Sequence, residues 1–553
     1  MTGAIRRARS RTGLSIGRPI TYGTSFMSRL NLVARRLSEA LLVFTLALSP
    51  SFASADFSTR LQDLAAGKPI AGQALDARTL IAKLYAGAAA KPLWRPAALQ
   101  SLQVAIANSE ADGLQPRDYF AEPLARKDLS ADDRELLATE ALIRLAYSLR
   151  FGKINPKLFD PNWNYSRALG KDDPLLWLKT TIAQGDIPAA LAKIRPQGQY
   201  YTGLRKALGD YRAMAAAGGW QALPAGPTLK PEMSDARVPA LRQRLQAEHL
   251  LSAGGQGEGY DATLVAAVTE FQRRHGLSAD GALGAGTVAA LNVPVDARIK
   301  SLRLNMERLR WVFRDLQPEY VVVNIAGFEA AYIDQGKLRW TGRVIVGKPF
   351  RQTPLFKSEI SYLEFNPTWT VPPTILRQDL LPKLRVNRGT LKEKNLEVID
   401  GNGQAVDPAH VDWQRFHYAL RQKPGPDNAL GRVKFMFPNL HSVYLHDTPS
   451  RELFGRAERA FSSGCIRVER PLELAAALLK DPAKWHKASI DTVVASNKTQ
   501  RVNLPRKVPV MLLYLTAFPA PDGSIHFGKD LYTRDLERQR LLDGPFSFSK
   551  LDD

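Results

Sequence analysis

Hydrophobic and polar positions change rhythm twice along the chain. From Asp56 to about Gly219 the apolar residues recur at helical spacing, as in the run from Asp132 to Ile154, where Leu136, Leu137, Leu142, Leu145 and Leu149 form a stripe. Proline and glycine punctuate this region, which predicts a set of helices whose acidic residues sit on solvated faces. Residues 215–231, rich in Ala, Gly and Pro, read as a linker. A compact unit follows at 236–292, with Val265, Val268 and Phe271 on one helical face, Gly276 placed to cap that helix, Asp280-Gly281 opening a turn, and Val288 and Leu291 on a further short helix. Three small helices around one core satisfy that pattern.

After an amphipathic linking helix at 296–318 the period shifts to two, predicting strands in "YVVVNIAGFEAAYID", "LRWTGRVIVG", "SEISYLEFNPTWTV", "VKFMFP" and "SVYLHD". A long stretch between Pro373 and Gly431 interrupts these strands and reads as an insertion over about 374–430; an insertion of that length beside a reactive site is more often a cap than a plain loop. The C-terminal "VPVMLLYLTAFPAPDGSIHFGKDLY" returns as a hairpin turning at Asp522-Gly523.

With 553 residues and 45% hydrophobic content the chain can bury several cores. Its net charge of +22 suits an anionic partner, and by itself does not say which. The N-terminus narrows the choice: Arg29, Arg35 and Arg36 precede an apolar run from Ala40 to Leu48 and an Ala53-Ser54-Ala55 ending, the pattern of a secretory signal cleaved after Ala55. Residues before Met27 read as a leader. The apolar run is short for a membrane span, so an uncleaved inner-membrane anchor is the alternative. An exported chain is an unlikely reader of nucleic acid, and the expected location is the periplasm.

Exported proteins usually pair their cysteines, yet this chain has one, Cys465. It ends a Ser462-Ser463-Gly464 turn, precedes Arg467, and follows His446 by nineteen positions. Strand alternation puts Ser442, Tyr444 and His446 on one face, opposite Val443 and Leu445. A thiol needs a base or a cation to become a nucleophile at neutral pH. His446 and Arg467 are the nearest candidates, and the N–H groups of Gly464 and Cys465 are candidates for holding a developing oxyanion. Each part also has a plain reading, as a strand end, a surface cation or a turn. No metal-ligand spacing occurs, and no cofactor is expected.

The string His446, spacer, Ser462-Ser463-Gly464-Cys465-Ile466-Arg467 resembles the signature of the L,D-transpeptidases. "FNPTWTVPP", "FPNLHSVYLHDTP" and "VPVMLLYLTAF" resemble the large periplasmic branch of that family. Residues 267–291 resemble peptidoglycan-binding domains, through Ala267-Val268, Phe271-Gln272, Gly276-Leu277, Asp280-Gly281, Gly284, Thr287 and Leu291. Ser463 departs from the commonest pattern, which has a second histidine there, and leaves His446 as the base.

The resemblance implies a multidomain α+β protein. After the leader (1–55) come a helical scaffold domain (56–230), a three-helix peptidoglycan-binding domain (231–295), the linking helix, and a β-sandwich-like catalytic domain (319–553) with its cap. It implies Cys465 as nucleophile and His446 as base and acid. Tyr444 and Arg467 would be positioning groups, with Trp369, Ser462 and Ser463 contacting substrate. The partners implied are peptidoglycan stem peptides and glycan, met by a monomer. The reaction implied is a 3→3 cross-link made through a thioester with release of D-alanine. A carboxypeptidase or lipoprotein-anchoring reaction through the same acyl-enzyme, and a wall-binding scaffold with a vestigial thiol, remain the alternatives.

Overall fold

The computed structural model describes residues 53–314 and 316–549; the signal-like segment lies outside them up to residue 52, and its Ala53-Ser54-Ala55 ending begins the helix Ala53–Ala65. Among the described residues no helix is long and apolar enough to cross a membrane.

The helical region up to Ala216 is built around the helix Ala131–Phe151, and the five stripe leucines are all buried. Burial of each contributes about 1.5–3 kcal/mol. The helix is central rather than one-sided, and the expectation of solvated acids fails on it. Glu135 accepts from the backbone N–H of Trp94 and the hydroxyl of Tyr85, and Glu140 from the N–H groups of Asp76 and Ala77 and the Arg144 guanidinium. A carboxylate buried with that many donors stitches neighbouring segments to the helix. Ser130 caps its start, accepting from the N–H of Asp133.

The small module has three helices, Val238–Ala247, Ala262–Arg274 and Ala285–Leu291, around Leu241, Leu245, Leu264, Val268, Phe271 and Leu291. Gln272 joins them, donating to Asp280, the Ala282 carbonyl and Thr287 and accepting from the N–H of Gly281. The expected linker is not free: Leu223 and Leu229 are buried in this core, and Leu229 bridges to Leu283.

The linking helix Val295–Val312 carries buried arginines that tie the scaffold to the C-terminal half. Arg303 donates to the Gly113 carbonyl and pairs with Asp543, Arg308 pairs with Asp535, and Arg310 reaches the Asp112 carbonyl. The amphipathic reading of this helix was therefore too exposed: several of its charges are interior.

Fifteen strands follow. β1 (Glu319–Asn324), β2 (Glu329–Asp334), β3 (Lys337–Gly347) and β4 (Phe356–Phe365) come first. Then β5 (Trp369–Thr370), β6 (Leu396–Ile399), β7 (Ala405–Val406) and β8 (Ala419–Gln422) form a separate four-stranded sheet. The main sheet resumes with β9 (Val433–Met436), β10 (Leu445–His446), β11 (Ala460–Ser462), β12 (Ile466–Val468) and β13 (Gln500–Leu513), while β14 (Ala517–Pro519) and β15 (Ile525–Phe527) make the hairpin. The order is β11-β3-β12-β10-β9-β4-β13-β1-β2, and β2 also pairs with β3. The long β3 thus joins both ends and curls the sheet around Val323, Val344, Ile360, Phe435, Leu445, Ile466 and Val510. That closure leaves few free edges.

The β5–β8 sheet and the helical segments over 373–386 share their own core of Val371, Leu384, Val398, Trp413 and Leu420. Because β5 already belongs to this sheet, the cap begins near residue 369 rather than 374.

Candidate active site

β10 lies between β9 and β12. Leu445 is paired with Phe435 on one side and Ile466 on the other, and His446 with Lys434 and Arg467. Leu445, Phe435 and Ile466 are buried in the core. Alternation then sends Tyr444 and His446 to the opposite face, together with Lys434 and Arg467. The N–H of Ile466 donates to the Tyr444 carbonyl at 3.1 Å, which sets Cys465 beside Tyr444 and diagonal to His446. Diagonal partners lie about 7–8 Å apart, within reach of long side chains. Period-two reading anticipated this face, with two differences. The strand proper starts only at Leu445, and Ser442 stands outside it in a left-handed conformation with φ +55°. His446 is buried rather than open, because the second face of the strand is also covered.

Ser442's turn has a consequence for the sulfur. The Cys465 thiol donates to the Ser442 carbonyl at 3.8 Å, so the resting thiol points at the loop before β10 and not at the imidazole. Asn439 shapes that loop, accepting from the N–H groups of His441 and Val443 and donating to the carbonyls of Phe437 and Val443.

The turn before Cys465 is held from inside. Ser462 Oγ accepts from the N–H of Gly464 at 3.1 Å and donates to the Cys465 carbonyl at 2.6 Å. Gly464 therefore does not present its N–H to an oxyanion, as expected from the sequence; that N–H is committed to Ser462. Gly464 is there because φ is +118°, a conformation other residues rarely adopt. Ser462 is buried and staples the turn, in place of the substrate contact expected of it. From outside, Thr353 Oγ1 donates to the Gly464 carbonyl at 2.9 Å, and Tyr532 bonds both the N–H of Thr353 and the Gly347 carbonyl.

His446 Nδ1 is 2.5 Å from the Asp447 carbonyl. A carbonyl only accepts, so Nδ1 carries the proton and Nε2 keeps its lone pair, the form a general base needs. Burial, then the Arg467 and Lys434 charges, push the imidazole pKa down to about 3. The Cys465 thiol is pushed up by burial, against opposing pulls from Tyr444, Lys434 and Arg467. The resting pair is therefore neutral thiol and neutral imidazole. Tyr444 stands between the two, its ring 5.6 Å from the imidazole, edge to face, and its hydroxyl bonded to the sulfur.

Lys434, which sequence reasoning passed over, sits 4.4 Å above the Tyr444 ring. A lone cation on the strand preceding the histidine's was the available signal. Among the described residues neither Lys434 nor Arg467 has an ion-pair partner, which leaves two cations on the face that carries the thiol.

Arg351 was also missed. From the β3–β4 loop its guanidinium pairs with Asp379 at 2.6 and 3.0 Å, bonds Gln378 at 2.7 Å, and donates to Ser463 Oγ at 3.0 Å. Gln378 and Asp379 lie on a π-helical turn of the cap, Leu376–Leu380. One side chain thus ties the cap to the residue two before the nucleophile. Arg351→Ala is expected to slow acylation by about tenfold, with a melting temperature within about 2 °C of wild type because these contacts are largely exposed. Stopped-flow acylation and thermal melts check this. Trp369, half-buried on β5, pairs across to Gln422 and packs against the cap's core.

Comparison with known proteins fits this arrangement. Residues 318–494 match the L,D-transpeptidase catalytic domain, residues 79–208 a scaffold domain, and residues 234–291 the family described as "Putative peptidoglycan binding domain". A Haemophilus influenzae protein named "Putative L,D-transpeptidase" is 40% identical over 245 residues, 43% of this chain and 48% of that one. The chain thus spans about half the length of that relative. Solved L,D-transpeptidases from Xylanimonas cellulosilytica (14% identity, 52% of this chain and 98% of that one, TM-score 0.18) and Stackebrandtia nassauensis (12%, 52% and 97%, 0.22) are distant similarities.

Proposed function

We propose that the L,D-transpeptidase catalytic domain carried by this chain joins peptidoglycan stem peptides through a thioester on Cys465. The observation that carries the reading is the single thiol lying on one sheet face with Tyr444, a neutral buried imidazole and two unpaired cations.

The donor is a tetrapeptide stem. Lys434 and Arg467 attract its carboxylates, which are the groups that two unpaired cations select. A change of χ1 at Cys465 swings the thiol from the Ser442 carbonyl toward His446 Nε2, a move between staggered wells. Sulfur then attacks the carbonyl carbon of the third residue while its proton passes to Nε2. The C–N bond to the terminal D-alanine breaks, and the imidazolium returns that proton to the leaving amine. A thioester remains. The acceptor amine of a neighbouring stem attacks it, loses its proton to Nε2, and the C–S bond breaks to restore the thiol, leaving a 3→3 cross-link. With the Gly464 N–H committed to Ser462, the Cys465 N–H is the turn's remaining amide for the oxyanion. Because a neutral pair starts each cycle, proton transfer accompanies attack rather than preceding it.

This chemistry places the protein outside the cytoplasm, consistent with the signal-like N-terminus. Incubation with purified disaccharide-tetrapeptide, followed by mass analysis of enzyme and products, tests the reading. An acyl adduct on the peptide containing Cys465, free D-alanine and a cross-linked dimer are expected. Free tripeptide stems alone would reassign the acceptor to water, and an unmodified enzyme with no product would end the proposal.

A further inference from the structure

Between the small helical module and the catalytic sheet runs a groove of about 770 Å³. Past the Gly276–Ser278 loop it adjoins a second depression of about 730 Å³. One wall is Leu277 and Ser278 of the module; the other includes Arg456 and Phe461, with Arg298 and Phe527 deeper in. Phe461 is 36% exposed and points outward from β11 between two buried neighbours.

Three features of this groove ask for a ligand. His275 lines it, buried between the rings of Phe271 and Phe527, with Nδ1 bonded to the Phe271 carbonyl and Nε2 buried without any partner. Arg298 lies over the Phe527 ring at 4.5 Å and leaves its Nε unpartnered. Among the described residues Arg298, Arg456 and Arg459 have no carboxylate partner, although all three line the two depressions. A buried polar atom without a partner costs about 1–3 kcal/mol, and a ligand that meets it recovers that cost.

We infer that this groove is a subsite for the amino-sugar strand to which the stem peptides are attached. The apolar C–H face of a pyranose ring suits the exposed Phe461. N-acetyl carbonyls suit the guanidinium N–H groups, and a sugar hydroxyl or amide N–H suits the lone pair of His275 Nε2. The module forming one wall is the one matched by the peptidoglycan-binding family. Spacing supports the same occupant: Cys465 stands four positions after Phe461, at most about 13 Å at strand rise, and an extended four-residue stem reaches a similar distance. A glycan lying in the groove delivers its own stem to the sulfur.

The inference rests on the proposed function, and the test separates the two. Ser278→Trp fills the exposed lip of the groove, and Arg456→Glu reverses an exposed charge; neither residue touches the nucleophile turn. Turnover is measured on free tetrapeptide and on intact sacculi, with co-sedimentation on sacculi and on peptide-free glycan strands. Both variants are expected to lose about tenfold or more in sacculus turnover and in co-sedimentation with either polymer, equivalent to about 1.4 kcal/mol, while free tetrapeptide turnover stays within about twofold of wild type. Unchanged sacculus turnover and binding in both variants overturns the groove, as does equal loss on free peptide. Wild-type binding only to peptide-bearing sacculi, and not to bare strands, assigns the groove to peptide and overturns the glycan assignment. If wild type turns over no substrate, the proposed function falls, and co-sedimentation alone decides the groove.

Discussion

Cys465→Ala is expected to abolish product formation, a loss on the order of 10⁴-fold or more, as when the nucleophile of a covalent mechanism is removed. No second thiol exists in the chain to substitute for it. The fold should survive. The turn is held by Ser462 and Thr353 through backbone groups, while the thiol itself makes one long contact to a carbonyl and one with the Tyr444 hydroxyl. A melting temperature within about 2 °C of wild type is the expected result. Cys465→Ser should be equally inert, since a hydroxyl is a far weaker acid than a thiol and His446 is a weak base. Intact-protein mass spectrometry after incubation with the tetrapeptide donor supplies a second readout: an acyl adduct on wild type, none on Cys465→Ala. Cross-linked product from the alanine variant would show that the reaction runs elsewhere.

His446→Ala is the second large effect, with an expected loss of about 10²–10⁴-fold in acylation, the usual contribution of a positioned acid–base group. The pH dependence distinguishes this imidazole from an exposed one. Its pKa is lowered to about 3, by burial first and by the neighbouring Arg467 and Lys434 charges after it. The basic form therefore persists as pH falls through 6.5, and the acid limb of kcat/KM should lie well below that value. An acid limb at 6.5 or above would contradict a buried neutral imidazole. Lys434→Met removes one depressing charge, so the limb should move upward, by only part of the shift because burial is the larger cause. Stability follows the same sign. Between pH 6.5 and about 3 the unfolded chain binds a proton that the folded state excludes, at His446 and likewise at His275, so stability falls as pH drops through that window. Thermal melts from pH 7 to pH 4 measure this.

The legible part of the site was its local part. Tyr444 and His446 share a face because strand period is two, and the motif residues around Cys465 are contiguous. What those contiguous residues do was partly misread. Gly464 and Ser462 looked like substrate-facing groups, yet the Gly464 N–H is spent on Ser462 Oγ and the Ser462 hydroxyl on the Cys465 carbonyl, which no spacing rule reveals. Trp369 sits in a motif-like string and belongs to the cap's packing. Lys434, Thr353 and Arg351 stand 12, 111 and 112 positions before His446, Gly464 and Ser463, the residues they serve, and only strand pairing for the first and the fold of the β3–β4 loop for the other two bring them there.

By itself the sequence determined the succession of helical and strand regions, the three-helix core of the module, and the placing of Tyr444 and His446 on one face, because each follows from periodicity or from side chains close along the chain. Only the tertiary structure decided that the acids of the central helix are interior, that the linker is packed, and that cations flank the base. It also decided that the cap is tied to the nucleophile turn through one arginine. Those outcomes depend on which distant segments share a dehydrated space. There a lone pair or a charge takes its energy from neighbours that only chain closure supplies.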